Sequence, residues 1–102
     1  MRIVRTQRAI DGFREVAVYI ANHFGNKALL EFQNRTKEWT QLLKKMPTLG
    51  AVDEELSTDE YEYRFVIIYR KSIMEYRIDG DVIIIVDFYD TRRSVSSDIT
   101  YE

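Results

Sequence analysis

Arginine and tyrosine are the side chains of this chain with the most chemistry to offer, and they crowd into its C-terminal half. Arg64, Arg77, Arg92 and Arg93 fall in or just after a series of apolar segments, and six of the seven tyrosines follow residue 60. A guanidinium can hold a phosphate through two parallel hydrogen bonds and can stabilise charge gathering on phosphate oxygens in a transition state. A tyrosine can stack on a base or pass a proton. Such a set, working without histidine, would suit metal-free cleavage of RNA. Composition by itself favours a plainer role, with ion pairs to nearby acids such as Asp87 and Asp90 and aromatic packing in the core. The one histidine, His23, falls at the end of a helical stretch, where its charge suits the helix dipole and a structural role is expected.

The familiar enzyme signatures are missing: no Gly-rich phosphate loop, no HExxH, no serine in a nucleophile elbow. The absence of cysteine excludes disulfides and thiolate metal sites, and suits a reducing compartment. Six acids between residues 53 and 62 have no metal-ligand spacing and read as a solvated loop. No cofactor and no metal are expected.

The 102 residues fit one domain spanning 1–102, and 45% hydrophobic with 31% charged residues indicates an ordered core. No apolar run is long enough to cross a bilayer, and MRIVRTQR lacks the apolar segment of a signal peptide, so a cytoplasmic protein without a membrane partner is expected. The net charge of −2 hides a division. Residues 1–50 hold nine Lys/Arg against four Asp/Glu, and residues 51–102 hold six against thirteen. A protein that grips nucleic acid mainly through phosphate charge has a clear basic excess, which this chain lacks.

The elements that must position these residues follow from periodicity. Residues 1–6 alternate as a short strand. Ile10, Phe13, Ala17, Ile20 and Phe24 recur at helical spacing, and Gly25 sits where a helix end wants positive φ. Leu29, Phe32, Thr36, Trp39, Leu43 and Met46 form a second stripe, ended by Pro47. Two helices joined so closely form an antiparallel hairpin. After a long loop over 48–62, strands are predicted over 63–69, 73–78 and 82–88, with turns at Lys71-Ser72 and Asp79-Gly80. The expected fold is α+β in the order β-α-α-β-β-β, a helical hairpin on one face of a mainly antiparallel four-stranded sheet.

Strict alternation turns Phe65, Ile67, Tyr69, Met74, Tyr76, Ile78, Val82, Ile84, Val86 and Phe88 toward the helices. It leaves Arg64, Val66, Ile68, Glu75, Arg77, Ile83, Ile85 and Asp87 on the other face. That mixture of apolar and charged groups reads as a surface that a partner covers.

With these elements in place, the chain resembles the RelE/ParE toxin superfamily from Ile3 to about Arg93. The first helix carries Ala9, Phe13, Val16, Tyr19 and Ile20 and closes in YIANHFG. The second closes in LLKKMPTLG, with Leu43, Pro47 and Gly50 as the recurrent leucine, proline and glycine. YEYRFVII places Tyr63-Arg64 at the start of the second strand, and IMEYRIDGDVIIIVDFYDTRR is similar to the family's hairpin and final strand. The resemblance implies a type II toxin of the plasmid-stabilisation kind, neutralised by a cognate antitoxin. RelE-like members cut mRNA at the ribosome through arginines and a Tyr or His, whereas ParE-like members act on DNA gyrase.

Carried onto this sequence, the catalytic set would be Arg64, Arg92 and Tyr89, with Tyr101 as the alternative aromatic. Arg77, Arg93 and Tyr63 would contact RNA or a partner. An endoribonuclease is the first expectation, with a gyrase inhibitor or a non-toxic interaction protein as alternatives. The acidic balance and the ending RRSVSSDITYE depart from the ribonuclease pattern. A homodimer and a toxin–antitoxin hetero-oligomer are both left open.

Overall fold

The protein, described for residues 1–92 by a computed structural model, begins with strand β1 (Arg2–Arg5) and continues into helix α1 (Gln7–Lys45). Thr6 caps the helix, its hydroxyl accepting from the Ala9 amide at 3.0 Å. Gly25 breaks α1 with φ 91° and ψ 176°, a conformation nearly restricted to glycine, so the helix consists of two arms over 7–24 and 26–45. Phe13 and Phe32 would lie about 28 Å apart on an unbroken helix. Their rings instead stack at 5.1 Å, which folds the arms back on each other as the expected hairpin.

A 3-10 turn (Pro47–Leu49) and a two-residue strand β2 (Ala51–Val52) occupy the start of the segment expected to be loop. Strands β3 (Tyr63–Tyr69), β4 (Ser72–Asp79) and β5 (Val82–Asp90) follow. The sheet runs β1-β5-β4-β3-β2, parallel between β1 and β5 and antiparallel elsewhere. It therefore has five strands instead of four, because Ala51 and Val52 pair with Phe65 and Arg64. Both hairpin turns fall one residue from their expected places, at Arg70-Lys71 and Gly80-Asp81.

The arms cover one face of the sheet, through most of the expected stripes but with the first arm turned so that its ends do not bury. On the first arm the buried positions are Ala9, Gly12, Val16 and Ile20, while Ile10 and Phe24 stay exposed. The cause is close approach: a Cβ on Gly12 would stand 2.5 Å from the Phe88 carbonyl oxygen. No side chain fits at position 12, where this arm crosses β5. On the second arm Phe32, Thr36 and Leu43 are buried as expected, and Met46 is not.

The facing of the strands needs correction as well. Val66, Ile68, Ile83 and Ile85 belong to the core, whereas Ile67 is 57% exposed. Met74, Tyr76, Tyr69 and Phe88 do face the helices. In β3 and β5 the runs from Phe65 to Ile68 and from Val82 to Val86 are apolar on both parities, so alternation cannot choose a face there. A bulge then inserts Val86, since Tyr76 pairs with Ile85 but Glu75 with Asp87. The extra residue brings Phe88 and Asp90 to the same side as Ile83 and Ile85. The expected partner surface built on Val66, Ile68, Ile83 and Ile85 is therefore interior. No helix among the described residues is long and apolar enough to cross a membrane.

Candidate functional site

Arg64 stands at the start of β3 and is largely consumed by the turn that follows the helices. Its Nη1 donates to the carbonyls of Thr48 and Gly50 at 3.1 and 2.8 Å, and its Nη2 pairs with Glu62 at 3.0 Å. Tyr76, opposite Arg64 on β4, completes the clamp. Its hydroxyl donates to the Pro47 carbonyl at 2.6 Å and accepts from the Gly50 amide at 3.0 Å. Gly50 is required by proximity, since a Cβ there would meet that hydroxyl at 2.7 Å. The sequence pattern of Pro47 and Gly50 is thus a docking pattern, and replacing Tyr76 by Phe strands a buried donor and an acceptor. We expect Tyr76→Phe to lower stability by about 2 kcal/mol in denaturant titration; a loss below about 0.5 kcal/mol would deny the clamp this role.

Arg92 ends the described chain beyond β5. Its Nε and Nη2 pair with the two Asp90 carboxylate oxygens at 2.9 and 2.7 Å. Asp90 is fully buried and also accepts from Ser72 Oγ at 2.9 Å. Burial pushes the Asp90 pKa up, but the bonds from Arg92 and Ser72 outweigh it and hold the carboxyl below its ordinary value. The Arg92 guanidinium also lies over the Phe24 and Tyr19 rings, at 4.7 and 5.7 Å. His23 stacks beside Tyr19 at 4.3 Å, and its Nδ1 lies 2.9 Å from the Tyr19 carbonyl oxygen. Arg70, at φ 53° in the β3–β4 turn, reaches over Phe24 and Tyr69. Tyr19, His23, Phe24 and Arg70 therefore join Arg92 at the hairpin tip. Sequence reasoning missed this cluster, because its members come from three separate segments.

Tyr89, Arg77 and Tyr63 lie on the opposite face. Tyr63 and Arg77 are cross-strand partners, and the Arg77 guanidinium sits 4.0 Å above the Tyr61 ring. The Tyr89 hydroxyl donates to Glu75 at 3.3 Å. Burial, then the neighbouring Glu75 carboxyl, pushes the Tyr89 pKa up to about 12. Arg93 lies outside the described residues, as does Tyr101.

The five expected site residues that are described thus form no single constellation. In the sheet register Arg64 faces Tyr76, whereas Asp90 faces Ser72, four residues along β4 and about 13 Å away at the usual strand rise. Arg64 and Arg92 do not converge on one phosphate, and Tyr89 is on the other side of the sheet from both. What the sheet does gather is Tyr89 at Glu75, with the Tyr63–Arg77 pair farther along the same face, and the burial of Glu75 between Met74 and Tyr76 is something no periodicity signals. Among the described residues no group of three or more Asp, Glu or His is arranged to hold a metal ion.

Helical hairpin and mixed sheet together define a small α+β domain. In solved structures the fold matches a chain of the "Chromosomal ParDE TA system from P. aeruginosa", with a TM-score of 0.69 and 16% identity over 88% of this chain and 95% of that one. No curated protein matches significantly. The family model for the ParE toxin of type II toxin–antitoxin systems, parDE, matches residues 3–95. The chain belongs to the ParE toxin family.

Proposed function

We propose that this protein is the toxin of a parDE-type pair, that it acts in the cytoplasm by binding DNA gyrase without cutting RNA, and that a cognate antitoxin holds it inactive. The observation that carries this reading is the fate of the two arginines. Arg64 is tied to the Thr48 and Gly50 carbonyls and paired with Glu62, and Arg92 is paired with Asp90, in separate parts of the molecule. A metal-free ribonuclease needs its cations converged and unneutralised around one phosphate. The net charge of −2 supports the same reading, since a protein target needs no general basic excess.

The test pairs two assays on the purified chain. Increasing toxin is expected to abolish supercoiling of relaxed plasmid by gyrase while ribosome-bound mRNA stays intact, and co-expression of the adjacent short reading frame should restore growth. Intact supercoiling together with mRNA cut on ribosomes would reinstate the ribonuclease reading. In that case Arg64→Ala and Arg92→Ala should each abolish cutting.

A further inference from the structure

Glu75 is an unusual residue for the middle of a sheet. It lies on the face turned away from the helices, yet it is only 3% exposed, and the acidic segment 53–62 reaches the same face through Asp53 and through the Tyr61 ring against Arg77. The Asp53 carboxylate comes within hydrogen-bond reach of Glu75. The other groups around Glu75 do not neutralise it. From β5, Tyr89 donates to Oε1 at 3.3 Å, and Asp87 adds a second negative charge. From β3 the cross-strand neighbour is Phe65, which is apolar. On β4 itself Arg77 is two residues away; its guanidinium stacks on Tyr61 and forms no ion pair with Glu75, and its Nη1 is buried without an acceptor.

Glu75 Oε2 is buried without a hydrogen-bond partner. Two carboxylates in contact in a poorly solvated place repel unless they share a proton. A proton on Oε2 resolves both problems at once, since the orphaned acceptor becomes a donor to Asp53. We propose that Asp53 and Glu75 form a single-proton carboxyl latch, which holds the 53–62 segment over the Glu75–Arg77 strip of the sheet and releases it when that proton is lost.

The parts around the pair fit a latch. Asp53 also organises the start of the segment: its Oδ1 accepts from the Leu56 amide at 3.2 Å and its carbonyl oxygen from Ser57 Oγ at 2.7 Å. Backbone bonding from the Asp53 amide to the Tyr63 carbonyl pins the two ends together, at 2.8 Å. Between these ends the segment meets the sheet at the Asp53–Glu75 pair, the Tyr61–Arg77 stack, the Glu62–Arg64 ion pair and Ser57 Oγ, which accepts from the Tyr63 amide at 2.9 Å. Of the remaining acids Glu62 pairs with Arg64, while Glu54, Glu55, Asp59 and Glu60 are exposed and repel one another, which favours release once the latch fails.

Burial first, and then Asp53, raise the Glu75 pKa from 4.5 to about 8, while the contact with Glu75 holds the Asp53 carboxyl below its ordinary value. The latched form therefore keeps a proton that the released form gives up. Latching is fully favoured below pH 4.5 as far as Glu75 is concerned, weakens as pH rises toward about 8, and levels off beyond. At the other end, protonation of Asp53 weakens it only below its ordinary value of 3.8.

Amide hydrogen exchange in residues 54–62 tests this, with the Glu75→Gln protein as reference at each pH so that intrinsic exchange cancels. The side-chain amide of that variant offers a donor to Asp53 at every pH. Exchange of the natural protein relative to the variant should rise by up to about tenfold per pH unit between pH 5 and 8 and then flatten. Asp53→Asn, which donates to an ionised Glu75, should remove most of that rise. A ratio that does not change with pH overturns the latch. Should Glu75→Gln fail to fold, the carbon-13 titration of Glu75 in the natural protein decides: a midpoint near 8 supports the latch, and one near 4.5 overturns it.

Discussion

Truncation of Phe32 to alanine should remove about 4 kcal/mol of stability, within the range of roughly 3–5 kcal/mol seen for buried aromatic truncations. Phe32 is fully buried. Its ring stacks on Phe13 at 5.1 Å, and Phe13 in turn meets the edge of Phe88 at 5.1 Å. One side chain thus links second arm, first arm and β5 in series. Loss of the ring opens a cavity that Phe13 cannot fill without leaving Phe88, so relaxation recovers little of the lost packing. A protein of this size has a total stability of roughly 5–15 kcal/mol, so the variant should unfold at a much lower denaturant concentration with an unchanged slope. Phe32→Leu should lose less than half as much. A loss under about 1 kcal/mol for the alanine variant would mean that the arms do not pack through this stack.

Replacement of Asp90 by alanine should cost about 3 kcal/mol, at the low end for a broken buried ion pair because the Arg92 side chain is 26% exposed. The Asp90 side chain is fully buried and bonds to Ser72 Oγ, the Arg92 backbone amide and two guanidinium nitrogens. Its removal leaves a guanidinium against Phe24 and Tyr19 and a buried hydroxyl without its acceptor. The pH dependence gives a second signature. The folded pKa of Asp90 lies below the ordinary 3.8, so its contribution is present above that value and lost as pH falls through the folded pKa. Acid unfolding of the natural protein should therefore be steeper below about pH 4 than that of Asp90→Ala. Equal acid slopes in the two proteins would show that Asp90 titrates like an exposed carboxylate. Glu75 acts in the opposite direction, since its raised pKa erodes stability as pH rises toward about 8.

Some of this was legible in the order of residues. Helical spacing, Gly25 and Pro47 are local signals, and they place the hairpin because backbone conformation and capping are decided within a few residues. The strand over Tyr63–Tyr69 and the family motifs are equally local, and the nearby Asp90 was an expected partner for the arginines from the start. The role of Arg64 was not legible. Its partners Gly50 and Thr48 lie fourteen and sixteen positions away, brought close only by the turn after α1.

Arginine and tyrosine, the side chains that first suggested chemistry, divide along the same line. Their identity and their concentration after residue 60 follow from sequence. Whether their charges are free is decided by tertiary structure. A one-residue bulge at Val86 selects which apolar parity of β5 is interior, and the close crossing at Gly12 selects which helix face meets it. Those two contacts place Arg92 against Asp90 and Phe24, and Tyr89 against Glu75 on the other side. Alternation in an all-apolar run carries no preference between faces, so only packing across the sheet could make that choice.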